Sequence, residues 1–403
     1  MNEQLKELAE AYLDDIVRTA SEMLQINSQS TQEGELAKYV VNKMKELKYD
    51  EVTVDRYGNV FGTIRGSGGG SSVMLNCHQD VVHEGDPEKW KYPPFSGAVA
   101  EGKIWGRGAS DTKGTFAIQL YTPVMLRKAG LLPKGDIVVA DVVSEEIAGF
   151  GAMMHTRDGS MLTDYAVLGE ATENDLAIGN RGRFCAVVTI KGKSCHASMP
   201  QLGLNPFDFL GGFLVGLKTV EMGKDQVFGP STMSVTSITS SEKGTNIIPN
   251  EVVVYLDFRQ CSVDTEEVAL AKIRRVVDDC LIQGITVDLR ALYFPLTTYT
   301  GYQGEGYQGE YPFIVSPEEP YVQLCKKAVE DAVGHEIRTK TWAFATDAGH
   351  YAAKGVRCIG YSPAEIKLCH TISENIDIEM MKEGAVGYLA ITMALANQEK
   401  QIS

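Results

Sequence analysis

Four short stretches of the sequence place histidines or acidic residues within or beside apolar runs. His78 and Asp80 stand two residues apart in VMLNCHQDVV, residues 73–82. The other three stretches are acidic and contain Asp111, the pair Glu145 and Glu146, and Glu170. Several carboxylates that lie close together cannot all stay ionised without cations. Two divalent metal ions about 3.5–4 Å apart are a common solution, and such a pair activates water for hydrolysis.

Strands are the elements that must position these residues. The sequence predicts a buried strand over residues 73–82, and side chains two apart on a strand point to the same side. Glu145 and Glu146 follow the predicted strand DIVVADVV, and Glu170 ends the predicted strand in YAVLGE. In open α/β sheets, ligands bind at the carboxyl ends of strands. We therefore expect residues from three strand ends to converge on one site.

Each stretch by itself also has a purely structural interpretation. His78 could be a core histidine with satisfied hydrogen bonds. Glu145 and Glu146 could lie in a solvated loop, and Asp111 could be a helix N-cap. The presence of all these residues at strand ends or helix starts favours a metal site.

Three histidines directly follow a cysteine, in the pairs Cys77–His78, Cys195–His196 and Cys369–His370. Adjacent residues of an extended segment face opposite sides, and cysteine behaves as a small buried hydrophobe. We therefore expect each histidine to face a cleft. The alternative, in which a neighbouring cysteine and histidine bind one metal ion, is disfavoured because adjacent side chains rarely converge on one ion.

The pattern of predicted elements indicates an α/β protein with a mixed sheet and an inserted domain. Continuous apolar strands between helices are typical of a sheet that is covered on both faces. After Arg181 the order becomes β-α-β-β-α-β, the ferredoxin-like split unit. We predict a catalytic domain in two parts, residues 1–182 and 295–403, with an α+β lid and dimerisation domain at residues 183–294. The tandem repeat GYQGEGYQGE, residues 301–310, is predicted to be a tyrosine-rich surface loop.

Composition limits the classes of partner. The 403 residues include 38 lysines and arginines against 53 acidic residues, for a net charge of -15, which argues against nucleic acid or an anionic membrane. No apolar run reaches the roughly 18 residues of a membrane span, and the N-terminus lacks a signal-peptide core. The eight cysteines form no disulfide-like pattern. We expect a cytoplasmic protein.

The order of the motifs resembles that of the dinuclear zinc amidohydrolases. The motifs are H-x-D, G-R-G-x-x-D-x-K-G, E-E, G-E-x-T and C-H-T-x-x-E. That family includes aminoacylase, acetylornithine deacetylase, succinyl-diaminopimelate desuccinylase and carboxypeptidase G. Through EKWKYPPFSG and KTWAFATDAG, the chain is most similar to a bacterial subgroup of hydrolases linked to selenium metabolism.

The resemblance implies two divalent metal ions per chain. His78 and Glu170 would hold one ion, Glu146 and His370 would hold the other, and Asp111 would bridge both. Histidine nitrogen and carboxylate oxygen suit zinc, and cobalt or manganese would also fit. The resemblance further implies a cis peptide bond after Asp111.

The resemblance also implies roles for residues that do not bind metal. Glu145 would be the general base, and Asp80 would orient the histidine two residues before it. Three residues of the inserted domain would bind substrate: His196, Asn246 and Arg259. His196 would reach the active site of the other subunit of a homodimer. Arg259 suits a substrate carboxylate, and its alternative is a surface salt bridge.

These roles together imply a metal-dependent hydrolase. A hydroxide that bridges the ions would attack the amide bond of a small N-acyl amino acid or of a short peptide with a free carboxylate. A dipeptidase or aminopeptidase of the same family is an alternative. A metal-binding dimer without catalysis is another, although the presence of Glu145, Asp80 and Asp111 disfavours it.

Overall fold

The computed structural model describes residues 1–400 of the chain. Helices and strands alternate through residues 1–181. In chain order they are α1 (Asn2–Leu24), α2 (Gly34–Glu46), β1 (Glu51–Val54), β2 (Val60–Ile64), β3 (Val73–His78), β4 (Ala98–Ala100), β5 (Lys103–Trp105), α3 (Gly114–Lys128), β6 (Ile137–Val142), α4 (Glu145–Ala148), α5 (Phe150–Asp158), β7 (Tyr165–Leu168) and β8 (Leu176–Asn180).

Strands dominate the middle of the chain, and helices return at its end. The middle elements are β9 (Gly182–Lys191), β10 (Cys195–His196), α6 (Pro206–Leu217), β11 (Lys224–Asp225), β12 (Gly229–Pro230), β13 (Thr232–Ser240), β14 (Ile247–Ile248), β15 (Glu251–Gln260), α7 (Glu266–Asp279), β16 (Thr286–Ala291), β17 (Tyr293–Thr297), β18 (Gln303–Tyr307) and β19 (Gly309–Glu310). The last elements are β20 (Phe313–Ile314), α8 (Pro320–Val333), β21 (Thr339–Trp342), α9 (Ala348–Ala352), β22 (Arg357–Gly360), β23 (Asn375–Asp377) and α10 (Ile378–Ala396). Among the described helices, none combines the length and the apolar composition that a membrane crossing needs.

Nine strands form the large sheet, in the order β1-β2-β6-β3-β7-β22-β8-β20, with β21 beside β8. The neighbours β6, β3, β7 and β22 run parallel, whereas β2 is antiparallel to β6. Alternate residues of β3 pack on opposite faces. Leu75 belongs to the apolar cluster that includes α1, α3 and α10, and Met74 belongs to the cluster that includes α5 and α9. The predicted mixed α/β sheet, covered on both faces, is confirmed.

The parallel strands β6, β3 and β7 end at the same edge of the sheet. His78 is the last residue of β3 and pairs with Val142, the last residue of β6. Glu145 begins α4, and Glu170 follows the end of β7. Strand β3 stops at His78, so Asp80 is not part of it as the apolar run had predicted. The chain turns there, and Asp80 therefore contacts other partners, as described below.

A second sheet, the lid sheet, has the order β13-β15-β9-β16, with β19 also beside β9. Every second residue of β15 is buried, and α6 and α7 contribute to the same apolar cluster. This order is that of the β-α-β-β-α-β unit predicted from the sequence. Strand β19 joins the sheet from beyond the predicted boundary at residue 294. Strand β13 lies at one edge of this sheet, and most of its residues are exposed.

The repeat GYQGEGYQGE forms strands β18 and β19, so the prediction of a surface loop was wrong. Strand β18 pairs with β17, and β19 pairs with β9. Tyr307 is only 2% exposed, and its hydroxyl donates to Glu266. Glycines let neighbouring rings pack against the backbone, as Phe294 does at Gly306. The repeat looks polar, but its tyrosine rings supply the apolar surface that the lid cluster buries.

Candidate metal centre

Asp111 lies between two histidines that come from distant parts of the chain. Its Oδ1 is 3.0 Å from His78 Nε2, and its Oδ2 is 3.0 Å from His370 Nε2. His370 Nε2 is also 3.0 Å from Glu146 Oε1. On the other side, His78 Nε2 is 3.5 Å from Glu170 Oε1. A carboxylate that faces one histidine with each oxygen has the arrangement that bridging two ions requires.

The turn before α3 brings Asp111 to this position. The peptide bond between Asp111 and Thr112 is cis, as the resemblance implied. The carboxylate of Glu374, which is fully buried, accepts hydrogen bonds from the main-chain N–H groups of Gly108, Ser110 and Asp111 at 3.0 to 3.1 Å. Glu374 also pairs with Arg107, and burial raises its pKa to about 7. Glu374 thus positions Asp111.

Glu374 was not assigned a role from the sequence. It is the last residue of the motif C-H-T-x-x-E, so the signal was present in the sequence. The partners of Glu374 lie more than 260 positions earlier in the chain, so only the folded structure shows what it holds.

Asp80 contacts both His78 and the main chain of the pair Glu145 and Glu146. The ring Nδ1 of His78 is 2.9 Å from the main-chain oxygen of Asp80 and 3.6 Å from its Oδ1. The ring therefore donates to the carbonyl rather than to the carboxylate that the sequence had suggested. A carbonyl only accepts, so Nδ1 carries the proton and Nε2 is available for a metal ion. The carboxylate instead accepts from the N–H groups of Glu145, at 2.9 Å, and Glu146, at 3.1 Å.

A second buried acid, Glu33, contacts Ser144, the residue directly before this glutamate pair. Glu33 accepts hydrogen bonds from the main-chain N–H and the hydroxyl of Ser144, at 3.1 and 2.9 Å. Ser144 has a left-handed backbone with a φ of 54°, which is unusual for a residue other than glycine. Burial, together with the nearby Asp80, raises the pKa of Glu33 to about 7. The sequence pattern held no signal for Glu33.

Acidic groups outnumber basic groups at the site. Burial raises the pKa of Glu145, Glu146 and Glu170 above the ordinary range. Hydrogen bonds with Asp111 and Glu146 raise the pKa of His370 to about 10. Neighbouring carboxylates add to both effects, and this surplus of negative charge favours a bound cation.

The donor atoms fit divalent metal ions. The ligand atoms of His78, Asp111 and Glu146 lie within 4.8 Å of one another, and so do those of His78, Glu145 and Glu170. Imidazole nitrogen and carboxylate oxygen are ligands that zinc prefers and that cobalt or manganese accept. The second group contains Glu145, so its carboxylate lies close to the metal ligands.

The three cysteine–histidine pairs behave differently from one another. Cys77 is buried, and neither candidate ligand group among residues 1–400 contains a cysteine. Cys369, which was expected in the core, is partly buried against the large apolar cluster and also lines the site cavity beside His370. The turn that carries His370, with a φ of 62°, lets both neighbours face the cavity.

A cavity of about 350 Å³ joins the metal centre to the lid. Arg259 lines it, together with Arg183 and Glu310, which the sequence interpretation did not include. Within the described chain, His196 and Asn246 do not line this cavity. They lie side by side elsewhere in the lid, where the N–H of Ala197 donates to the Asn246 carbonyl at 2.9 Å, and both are exposed.

Residues 74–394 match the sequence model of peptidase family M20/M25/M40, which covers most of the chain. The chain belongs to this family. Two relatives of this M20 peptidase extend along nearly its whole length. The uncharacterized protein YgeY of Escherichia coli K12 is 26% identical over 395 residues, which is 96% of each chain. The succinyl-diaminopimelate desuccinylase of Sulfurimonas denitrificans is 26% identical over 369 residues, which is 90% of this chain and 94% of the relative.

Solved structures share the fold of this M20 peptidase. Aminopeptidase PepT from Bacillus cereus matches with a TM-score of 0.74 and 19% identity, over 95% of this chain and 99% of PepT. Human carnosine dipeptidase 1 matches with a TM-score of 0.69 and 16% identity, over 98% of each chain. Members of the M20 family are hydrolases of amide bonds that bind divalent metal ions. This protein is therefore a metal-binding amide hydrolase.

Proposed function

We propose that this M20 hydrolase cleaves the amide bond of a small N-acyl amino acid, or of a short peptide, that carries a free carboxylate. The observation that supports this substrate class is the cavity at the metal centre described above. Candidate metal ligands and Arg259 line this cavity together. Its volume of about 350 Å³ suits a small ligand.

We further propose that two divalent ions, most simply zinc, occupy the centre. His78 and Glu170 would hold one ion, Glu146 and His370 the other, and Asp111 both. The ions would supply a lowered pKa for bound water and polarisation of the substrate carbonyl. The two short distances from Asp111 to the histidines support this division of ligands.

Glu145 is proposed as the general base. It would take a proton from the attacking water with a carboxylate oxygen and deliver that proton to the nitrogen of the leaving amine. Two features support this role. The carboxylate of Asp80 accepts a hydrogen bond from the main-chain N–H of Glu145, and burial raises the pKa of the Glu145 carboxyl, which favours its role as a proton acceptor.

The lid sheet is proposed to form a homodimer. Val235 and Ile238 on the edge strand β13 are each 42% exposed, and an unpaired edge with apolar side chains favours association. His196 and Asn246 lie outside the cavity of their own chain. Dimerisation through the lid would offer them to the cavity of the other subunit.

The function is tested with zinc-loaded protein and a panel of N-acyl amino acids and dipeptides, followed by detection of the released amine. We expect turnover of at least one N-acyl amino acid, and loss of that turnover in Glu145→Gln. Faster turnover of dipeptides with a free amino group would favour the dipeptidase alternative. If fully loaded protein hydrolysed no amide, a metal-binding dimer without catalysis would be the better description.

A further inference from the structure

Three charged residues form one row across the lid sheet and line the site cavity. Arg259 on β15 pairs directly with Arg183 on β9, and Arg183 pairs on its other side with Glu310 on β19. All three line the same cavity as the candidate metal ligands. Like charges directly opposite one another on neighbouring strands are destabilising. The placement of two arginines in such a pair therefore needs an explanation.

Asp257 forms an ion pair with each of the two arginines. It stands two residues before Arg259, on the same face of β15. Its carboxylate accepts from Nε of Arg183 at 3.0 Å and from Nε of Arg259 at 2.7 Å. One negative charge thus orients two positive side chains by their Nε atoms.

The outer ends of both guanidiniums are left largely free. Within residues 1–400, the terminal nitrogens of Arg183 make no hydrogen bond, and no ion pair within 4.0 Å joins Arg183 to Glu310. Arg259 Nη2 has only a long contact of 3.5 Å, with Asp257. A guanidinium fork of this kind binds a carboxylate through two parallel hydrogen bonds.

We propose that Arg183 is a second carboxylate-binding residue, and that the substrate of this enzyme carries two carboxylates, one for each arginine. This inference rests on the proposed amide hydrolysis. The rest of the cavity offers no comparable place for a second negative charge, because most of its other charged lining residues are acidic: Asp111, Glu145, Glu146, Glu170 and Glu310. The second carboxylate can belong to an acidic amino acid or to a dicarboxylic acyl group.

Three substrates separate these sources in kinetic assays of the metal-loaded enzyme. N-acetyl-L-alanine carries one carboxylate, N-acetyl-L-glutamate carries its second carboxylate on the amino acid, and N-succinyl-L-alanine carries it on the acyl group. We expect kcat/KM to be at least about tenfold higher for one of the dicarboxylates than for N-acetyl-L-alanine, because hydrogen bonds to charged groups are the strong ones.

Substitutions then test whether Arg183 causes the higher kcat/KM of the dicarboxylate. Arg183→Gln should lower kcat/KM for the preferred dicarboxylate about 10- to 100-fold, mainly through KM, and leave N-acetyl-L-alanine within about threefold. Arg183→Lys keeps the positive charge but lacks the forked guanidinium. Its kcat/KM for the preferred dicarboxylate should lie between the values of the wild type and of Arg183→Gln. Arg259→Gln should lower kcat/KM for all three substrates. Arg290 lies on β16 of the same sheet and does not line the cavity, so Arg290→Gln is the matched control.

A binding measurement makes the inference independent of turnover. In calorimetric titrations of the metal-loaded protein, glutarate should bind at least about tenfold more tightly than butyrate, and Arg183→Gln should abolish the difference. Equal affinities, or a difference that persists in Arg183→Gln, would overturn the second carboxylate site.

The two proposals can fail separately. If N-acetyl-L-alanine is hydrolysed but Arg183→Gln changes neither dicarboxylate, the inference fails and amide hydrolysis stands. If no amide is hydrolysed but glutarate binds through Arg183, the proposed hydrolysis of such amides fails and the carboxylate site stands.

Discussion

The carboxylate of Asp80 accepts a hydrogen bond of 2.9 Å from the main-chain N–H of Glu145. The same residue accepts from the His78 ring through its carbonyl oxygen. One aspartate thus sets the position of a candidate metal ligand and of the proposed base. The placement of His78 at the end of β3 relative to Glu145 at the start of α4 therefore depends on this one aspartate.

Replacement of Asp80 by asparagine should uncouple these groups. The two carboxylate oxygens of Asp80 each accept a hydrogen bond from one main-chain N–H group. The asparagine amide has the same size but only one oxygen, so it can accept only one of these two hydrogen bonds in the same way. We expect a loss of about 10- to 100-fold in kcat/KM or in metal affinity, the usual effect of losing a group that supports metal ligands. Ser30→Ala removes only the hydroxyl that donates to Asp80 at 2.6 Å, so its effect should be smaller. Wild-type activity and metal affinity in Asp80→Asn would contradict this positioning role.

The neighbouring glutamates should respond differently to the same change. Glu145→Gln should retain its metal but lose turnover by about 10²- to 10⁴-fold, the contribution of a general acid–base. Glu146→Gln should instead bind less metal, because its carboxylate contacts His370. Metal analysis and kinetics on both purified variants test this contrast. If Glu145→Gln lost metal and Glu146→Gln lost only turnover, Glu146 would be the base and Glu145 the metal ligand.

Purified apoprotein should take up close to two equivalents of zinc per chain. A native state that binds metal gains stability, by about 2.7 kcal/mol at a free metal concentration of 100 times the dissociation constant. Both the stoichiometry and the melting temperature should therefore rise with added zinc. His370→Ala should lose one equivalent. His335 has a similar exposure, 53% against 51%, and lies outside the site cavity, so His335→Ala should keep both equivalents. Zinc that stayed at trace levels in folded protein would exclude the centre.

A buried histidine away from the metal centre should make stability depend on pH. Burial lowers the pKa of His155 to about 4 from an ordinary 6.5, and the ring contacts the Tyr351 hydroxyl at 2.9 Å. Between these values the unfolded chain binds a proton that the folded chain does not. Titration of His155 by itself should therefore lower the free energy of unfolding, by an amount on the order of 3 kcal/mol, as the pH drops from 6.5 to 4.

Denaturant unfolding of the wild type and of His155→Phe across this range tests the assignment. The phenylalanine variant lacks the titrating group, so the difference in unfolding free energy between the two proteins should shift in favour of the variant as the pH drops from 6.5 to 4. Identical slopes for the two proteins would mean that His155 does not cause the dependence.

Subunit mixing tests whether His196 acts on the neighbouring chain. His196→Ala and Glu145→Gln should each be inactive alone. After subunit exchange at equal amounts, a symmetric dimer with random pairing would regain up to about one quarter of the wild-type sites. Each such site would combine the base of one chain with His196 of the other. If exchange is proven but no activity returns, His196 acts within its own chain or has no role.

Local patterns in the sequence determined the α/β class, most of the helices and strands, and the candidate ligands. Buried strands appear as apolar runs, and a charged residue at the end of such a run stands out. His78 and Glu170 were found in this way. The cysteine–histidine pairs predicted only that His370 faces a cleft. The resemblance then assigned roles to all three residues and made His370 a metal ligand, although its local sequence predicts no element that would bring it to the sheet edge.

Only the tertiary structure decided how the groups meet, because strand register and turns join residues that are far apart in the chain. The apolar run beyond His78 did not show that β3 would stop there, and so the acceptor for its ring is the Asp80 carbonyl. The support of Asp111 by Glu374, and the row of Arg259, Arg183 and Glu310, depend on pairing between distant segments. A pattern of single residues carries no information about such pairing, since each residue alone is compatible with an exposed surface position.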